Sequence, residues 1–532
     1  MIKKVANPKK QKSMEETLWD SANKLRGSVE PSEYKHVVLS LIFLKFISDT
    51  FEERRQELIN EDKEAYIDMV EFYAMKNVFY LTPEARWQFI KQQAKQPDIA
   101  LKIDTALHTV EKNNKALKGA LPDNYFSRIG LDASKLSALI DTINNIHTLK
   151  DKEQDIVGRV YEYFLSKFAL AEGKGKGEFY TPKSIVNLIA EMIEPYKGKI
   201  YDPCCGSGGM FVMSADFVER HGQTASRDIS IYGVEKDRVT VNLNKMNLAV
   251  HGLSGDVREA NTYATDLRQL FPRVFDAGGF DFVMANPPFN VSGVRKEDLE
   301  GDWRFPFGIP KPDNANYLWI QMFHAALNDQ GRAGFVMANS AGDARGSEQL
   351  IRQKLIEDGS TDVIVSVGPN MFYTVTLPCT LWFFDKGKRG TEREDTVLFL
   401  DARSLYRQID RAHRDFLPEQ IEFLSNIVRL YRGEVVATEA GSTELLAEHG
   451  LTEGYVDVPG LCKVATRTEI EAQGWSLNPG RYVGAAARAE EDVDFVVRFE
   501  ELNEELVQLN AEAAALEEQI AENTALVLEW AS

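Results

Sequence analysis

FDFVMANPPFN, residues 280–290, runs an apolar segment into an amide, two prolines and an aromatic ring. Phe282-Val283-Met284-Ala285 has the unbroken apolar character of a strand buried on both faces of a parallel sheet. Pro287 and Pro288 cannot continue a hydrogen-bonded ladder, and they stiffen the chain that follows. Asn286 is therefore expected at the carboxyl end of a strand, on a rigid loop, with Phe289 close behind. Open α/β sheets carry their chemistry at that end.

The chain around this segment alternates. IVNLIAEMIEPY (185–196) reads as a helix, KIYDP (199–203) as a strand, 210–220 as a helix, ISIYGVE (229–235) as a strand and VTVNLNKMNLAVHG (239–252) as a helix stopped at Gly252. Beyond FDFVMANPP come a helix over 314–328, a strand in GRAGFVMANS (331–340), a helix over 347–358 and strands in TDVIVSVG (361–368) and TLPCTLWFFDKG (376–387). This order predicts a parallel or mostly parallel sheet covered on both faces, a Rossmann-like, doubly wound α/β domain.

Flanking segments differ. After a basic tail over 1–13, residues 14–150 show helical spacing, as in Trp19, Ala22 and Leu25 and then Tyr34, Val37, Val38, Leu41 and Leu44. The α/β domain is read over 151–395 and a connecting region over 396–488. In 489–532, Phe495, Phe499, Leu502, Leu506, Leu509, Ala513, Leu516 and Ile520 recur at heptad spacing, a coiled-coil-like helix that either packs on its own domain or pairs with a partner.

Composition narrows the class. The chain has 532 residues, 44% hydrophobic and 27% charged, the balance of a globular protein with several cores. The longest apolar run, VVLSLIFLKFIS (37–48), is too short to span a bilayer and carries Lys45, so a core helix and no membrane are expected. The basic start lacks an apolar segment after it, and four cysteines without metal-ligand spacing fit a reducing cytoplasm. A net charge of −19 opposes a polyanion, so a nucleic-acid substrate would need local basic surface or a partner that supplies it. Local candidates are Lys174, Lys176, Arg295 and Lys296, and a stripe of Arg403, Arg407, Arg411 and Arg414 whose 4-4-3 spacing reads as a helix face.

YDPCCGSGGM (201–210) follows a strand and opens a helix. Gly206, Gly208 and Gly209 let the backbone approach a ligand, but no Gly-Lys-Ser/Thr follows and the pattern is not GxGxxG. Asp202 at the strand end suits a cationic or amine-bearing group, and Glu235 at the next strand end is placed for a ribose diol. Together they point to S-adenosylmethionine. The Pro203-Cys204 dipeptide lies inside the glycine loop, and Cys204 and Cys205 are read as small buried apolar residues rather than nucleophiles.

Asn-Pro-Pro-Phe downstream of DPCCGSGG resembles the amino-methyltransferases of the adenine-N6 type, and GEFYTP (177–182) resembles the cofactor-binding segment that precedes the glycine loop in gamma-ordered DNA methyltransferases. LWDSANKLRGSVEPSEYKHVVLSLIFLKFISDTFEERR (18–55), GEFYTP and SLNPGRYV (476–483) together resemble the modification (M) subunit of type I restriction–modification systems. The resemblance implies a DNA adenine-N6 methyltransferase. Asn286, the carbonyl of Pro287 and Phe289 would act on a flipped-out adenine, and Glu178, Phe179, Tyr180, Thr181, Asp202, Gly206, Ser207, Gly208, Glu235 and Asn261 would hold the cofactor. It also implies as partners DNA, a specificity (S) subunit, a restriction (R) subunit and a second M subunit. The family's Gly-Asp-Thr-Leu-like segment is EANTYATD (259–266) here, so Asn261 stands in place of the Asp and Asp256 is a competing choice. Methylation of cytosine N4 or a protein amide, or a vestigial site in a structural subunit, are the alternatives.

Overall fold

The computed structural model describes residues 19, 31–76, 78–145, 163–164, 181–372, 377–410 and 413–485. Nine strands form one sheet. β1 (Gly198–Asp202), β2 (Ile229–Glu235) and β3 (Gly255–Glu259) step outward in parallel on one side, and β4 (Phe280–Ala285) lies on the other side of β1, also parallel. The chain thus reverses its direction of travel across the sheet between β1 and β4, which opens a crevice at their carboxyl ends. β5 (Leu327–Ala338) continues in parallel. β6 (Thr361–Val367) and β7 (Cys379–Asp385) follow, with β7 inserted antiparallel between β5 and β6. Every residue of β6 and β7 is buried, as their apolar runs require of central strands.

The sheet does not stop at residue 395, where the sequence reading ended the domain. β8 (Thr396–Asp401) pairs parallel to β6, and after a small hairpin of β9 (Arg407–Gln408) and β10 (Arg414–Asp415), β11 (Cys462–Thr466) adds an antiparallel edge to β8. The full order is β11-β8-β6-β7-β5-β4-β1-β2-β3. Two strands of the connecting region, β8 and β11, therefore belong to the same sheet.

The arginine stripe is not a helix face. Arg403 lies in a turn, Arg407 in β9 and Arg414 in β10; Arg411 lies outside the described residues. Arg407 Nε donates to Asp415 Oδ1 at 2.9 Å across the hairpin, Arg403 Nε donates to Asp401 Oδ1 at 2.8 Å, and Arg414 sits 3.9 Å above the Tyr406 ring. Nearby aspartates and a tyrosine give these side chains local partners in a hairpin, so their helical spacing carries no structural meaning.

The N-terminal segment is helical as expected. The apolar run 37–48 lies in α1 (Pro31–Asn60), with Val37, Leu41, Leu44 and Phe51 fully buried. α2 (Ile99–Asn113) and α3 (Ala133–Asn144) pack with it. On the sheet, α4 (Lys183–Ile193) leads into β1, α5 (Gly209–Arg220) follows it, and α6 (Arg238–Val250) follows β2. Leu243, Met246, Ala249 and Val250 of α6 join the N-terminal core, so the helical region packs directly on a helix of the α/β domain. Two further helices matter below: α7 (Asn316–Ala326) and α8 (Pro418–Arg432). Contacts gather Met1–Val483 into one unit and Gly484–Ser532 into a second. The heptad residues 495–520 lie outside the described residues. Among the described residues no helix is long and apolar enough to cross a membrane, and no cluster of three or more His, Cys, Asp or Glu could hold a metal.

Candidate active site

The crevice at the carboxyl ends of β1 and β4 collects the chemistry. Asp202 ends β1 and is 2% exposed. Its Oδ1 accepts from the backbone N–H of Cys204 at 2.9 Å. Burial, with repulsion from Glu235 added, pushes its carboxyl up to about 7 despite that hydrogen bond. Here is a carboxylate that gains by meeting a cation.

The glycine loop beyond it turns through left-handed backbone at Gly206 (φ 48°) and Gly208 (φ 87°) before α5 begins. A Cβ on Gly206 would meet nothing within 4 Å, so that face of the loop is open to a ligand. A Cβ on Gly208 would come within 3.0 Å of Asn244 Oδ1. Three side chains pin the loop. Glu235 Oε2 accepts from the Gly206 N–H at 3.1 Å. Asn244 Nδ2 donates to the Gly206 carbonyl at 2.9 Å, and Asn247 Nδ2 donates to the Ser207 carbonyl at 2.9 Å. Both asparagines lie on α6, three residues apart on one face, and both are almost fully buried. Sequence reasoning passed them over. α6 also carries Arg238, Thr240, Asn242 and Lys245, so nothing local sets these two amides apart.

Glu235 Oε1 also accepts from the N–H groups of Lys236 (2.7 Å) and Asp237 (3.1 Å). An ionised carboxylate offers about four acceptor positions, so with three taken, one remains, on Oε2, for a ribose hydroxyl. Asn261 follows the end of β3, on the same side of the sheet as Glu235, whose strand pairs Glu235 with Glu259. It is exposed, and its Oδ1 accepts from the Tyr263 N–H at 3.1 Å. Asp256 sits lower, opposite Tyr232, and Arg258 holds its carboxylate at 2.7 Å, away from the strand ends. The loop after β3 is tied in by Thr262, whose hydroxyl donates to the Pro203 carbonyl at 2.6 Å. Arg304, 2% exposed, donates to the carbonyls of Thr262 (2.6 Å) and Tyr263 (2.9 Å). Nothing in the sequence singled Arg304 out.

Burial and the neighbouring carboxylates push the thiols of Cys204 and Cys205 well above their ordinary range. Neither is poised as a nucleophile; Cys205 is buried as expected, whereas Cys204 is only partly buried.

Asn286 follows β4 directly, as expected. Its Nδ2 donates to Thr181 Oγ1 at 2.9 Å, which joins two segments 105 residues apart. Asn286, Pro287 and Phe289 line a cavity of about 290 Å3 with Asn339, Ser340, Phe372 and Cys379 among its other walls. The loop is braced behind Phe289. Asn290 adopts φ 54° and exchanges hydrogen bonds with Asn316 at the start of α7. Glu178, Phe179 and Tyr180 lie outside the described residues, as do Lys174 and Lys176. Arg295 is exposed and pairs with Asp298 at 3.1 Å, and Lys296 Nζ donates to the Pro312 carbonyl.

The fold recurs in a solved protein. The methyltransferase subunit of the type I restriction-modification system of Streptococcus thermophilus matches with a TM-score of 0.71 at 20% identity, over 88% of this chain and 99% of that one. The chain belongs to the N-6 DNA Methylase family, which matches residues 152–492, and residues 14–143 match the HsdM N-terminal domain. It is 37% identical to the type I restriction enzyme MjaIX methylase subunit of Methanocaldococcus jannaschii, over 96% of this chain and 90% of that protein. It is 34% identical to the HindI methylase subunit of Haemophilus influenzae, over 82% and 98%.

Proposed function

We propose that this chain transfers a methyl group from S-adenosylmethionine to N6 of an adenine flipped out of DNA, as the modification subunit of a type I restriction–modification complex. The observation that carries the reading is Asn286. It stands at the end of β4 with its Nδ2 held by Thr181, which leaves Oδ1 without a partner among the described residues, on the wall of a cavity shared with Phe289.

An exocyclic amine is a weak nucleophile because its lone pair is delocalised into the ring. Acceptors aimed at its two N–H groups favour a pyramidal nitrogen with a usable lone pair. Asn286 Oδ1 and the Pro287 carbonyl are the two acceptors, and the prolines hold them in place before the base arrives. The cavity's 290 Å3 lies at the low end of small-molecule pockets, roughly 300–1,000 Å3, a size matched to one base rather than a larger ligand. Phe289 and Phe372 offer apolar faces to it. A base paired in a duplex cannot reach such a pocket, so it must be extruded.

The cofactor's features fit the residues present. Its cationic end suits buried Asp202, its ribose suits Glu235, the open face of Gly206 admits it, and Asn261 stands where an adenine edge could be met. When bound, it supplies the methyl from a sulfonium: the C–S electron pair leaves with sulfur as the amine nitrogen forms the new N–C bond and then sheds one proton.

The net charge of −19 supports delegation of the DNA grip to a specificity subunit, with a restriction subunit and a second copy of this chain as further partners. The heptad residues 495–520 supply the means of helix pairing. Two experiments test the reading. Asn286→Ala should cost about 3–4 kcal/mol of transition-state stabilisation, about a hundredfold or more in single-turnover rate, with cofactor affinity nearly intact; a near-wild-type rate contradicts the assigned role. Truncation after about residue 490 should abolish co-purification with the specificity subunit and spare cofactor binding; normal assembly of the truncated chain contradicts the helix-pairing account.

A further inference from the structure

We infer that Thr181 is the positioning residue of the transfer site: its hydroxyl, rather than serving the cofactor, fixes the amide of Asn286 so that Oδ1 is the atom presented to the target amine. The inference rests on the adenine reading above and deepens it.

The geometry has three parts. Thr181 is the residue before Pro182, the N-terminal flank of α4, and a residue before proline is restricted in its own backbone. α4 is itself fixed from behind. Its Glu191 pairs with Arg429 of α8 at 3.1 Å, and Glu194, the residue that ends it, pairs with the same arginine at 2.9 Å. The hydroxyl therefore projects from a rigid support. Opposite it, Asn286 stands on a loop stiffened by two prolines, and the 2.9 Å bond from Nδ2 to Oγ1 closes the gap between the supports.

A hydroxyl can serve either end of an amide, so Thr181 alone fixes where the amide sits but not which end faces it. The incoming amine completes the choice. An exocyclic amine that is to be made nucleophilic presents N–H groups, which donate and so need an acceptor, and on an amide that is the oxygen. The arrangement with Nδ2 on Thr181 and Oδ1 outward satisfies all three groups at once. Without the hydroxyl, the amide loses its inner anchor and is free to turn its NH2 toward the amine, which repels it and leaves the lone pair delocalised.

The test compares Thr181→Val, which keeps the shape and removes the hydroxyl, with Thr181→Ser, which keeps the hydroxyl. Single-turnover methyl transfer is measured with the specificity subunit present, and S-adenosylmethionine affinity by calorimetry. Thermal melting of each variant checks that it is folded. The expected result is a loss on the order of 10- to 100-fold in rate for Thr181→Val at saturating cofactor, affinity within about threefold of wild type, and recovery in Thr181→Ser. Weakened affinity with an unchanged saturating rate would make Thr181 a cofactor ligand and overturn the inference. So would equal impairment of both variants, or no effect in either. The wild-type complex measured alongside separates the two levels: product from wild type with an unaffected Thr181→Val sinks this inference alone, whereas no N6-methyladenine from wild type sinks the reading beneath it.

Discussion

Asn290 and Asn316 exchange two hydrogen bonds: the backbone N–H of Asn290 donates to Asn316 Oδ1 at 2.9 Å, and Asn316 Nδ2 donates to Asn290 Oδ1 at 2.8 Å. Asn290 holds left-handed backbone (φ 54°) immediately after Phe289, and Asn316 is 3% exposed at the start of α7. The pair locks the exit of the Asn-Pro-Pro-Phe loop and so sets where the Phe289 ring stands. Asn316→Ala should leave cofactor affinity unchanged and lower single-turnover transfer by on the order of tenfold, since the aromatic wall loses its support. An unchanged rate in rapid-quench assays would mean that the prolines alone hold the loop.

Glu235 is both a wall of the cofactor site and a strut of the glycine loop, through the Gly206 N–H at 3.1 Å. Glu235→Ala should weaken S-adenosylmethionine binding by freeing the loop as well as by removing the ribose acceptor. Gly206→Asp should weaken it too, because left-handed backbone at φ 48° disfavours a side chain and the new carboxylate would stand in the open face of the loop. Calorimetry on both variants checks this, and unchanged affinity in both would remove the cofactor from this crevice.

The pH dependence of binding follows from Asp202. In the unliganded chain its pKa is raised from 3.8 to about 7, so the folded state keeps a proton that the unfolded chain releases. The stability this contributes is full below 3.8 and is lost as pH rises through about 7. A cationic ligand favours the carboxylate and expels that proton. Affinity for S-adenosylmethionine should therefore climb between about pH 5.5 and 7 by at most tenfold per unit and then level off. Asp202→Asn should flatten the curve. A flat wild-type profile over that window would show that Asp202 does not face the cation.

Behind the site, Arg429 is 4% exposed and joins Glu191 and Glu194 to α8. Arg429→Ala strands two buried carboxylates, but Arg220 still reaches Glu191 at 2.8 Å and Arg332 reaches Glu194 at 3.3 Å. The destabilisation should fall near the lower end of the roughly 3–5 kcal/mol expected for breaking a buried pair. Denaturant unfolding monitored by tryptophan fluorescence gives the value, and a change under about 0.5 kcal/mol, the range of ordinary surface substitutions, would show that the clamp is redundant.

Much of this site was legible because chemistry-bearing residue types fell at strand ends. Asp202, Glu235 and Asn286 each close an apolar strand, and the two prolines and three glycines announce loops that no core needs. β3 was missed because Gly255–Glu259 lies at the sheet edge, where a strand needs little apolar sequence. β8 and β11 were assigned to a separate region because the pairings that join β8 to β6 and β11 to β8 are non-local. The arginine stripe misled for a related reason: helical spacing and hairpin pairing both fit the same residues, and the partner at Asp415 decides between them. Asn244, Asn247 and Arg304 bind backbone carbonyls distant in sequence, so no local pattern marks them. Thr181 was read as a cofactor-binding residue through its segment, and its contact with Asn286 could not be read, because Asn286 lies 105 residues further on.

The most direct test of the central claim is the identity of the methylated product. The chain, co-expressed with its specificity subunit, is incubated with DNA and isotopically labelled S-adenosylmethionine, and the DNA and the proteins are digested and analysed by mass spectrometry. The account predicts label in N6-methyladenine, at one defined site, accumulating about a hundredfold or more slowly in the Asn286→Ala complex. Label in N4-methylcytosine or in a protein glutamine, or no label from a folded complex that binds both DNA and cofactor, would contradict it.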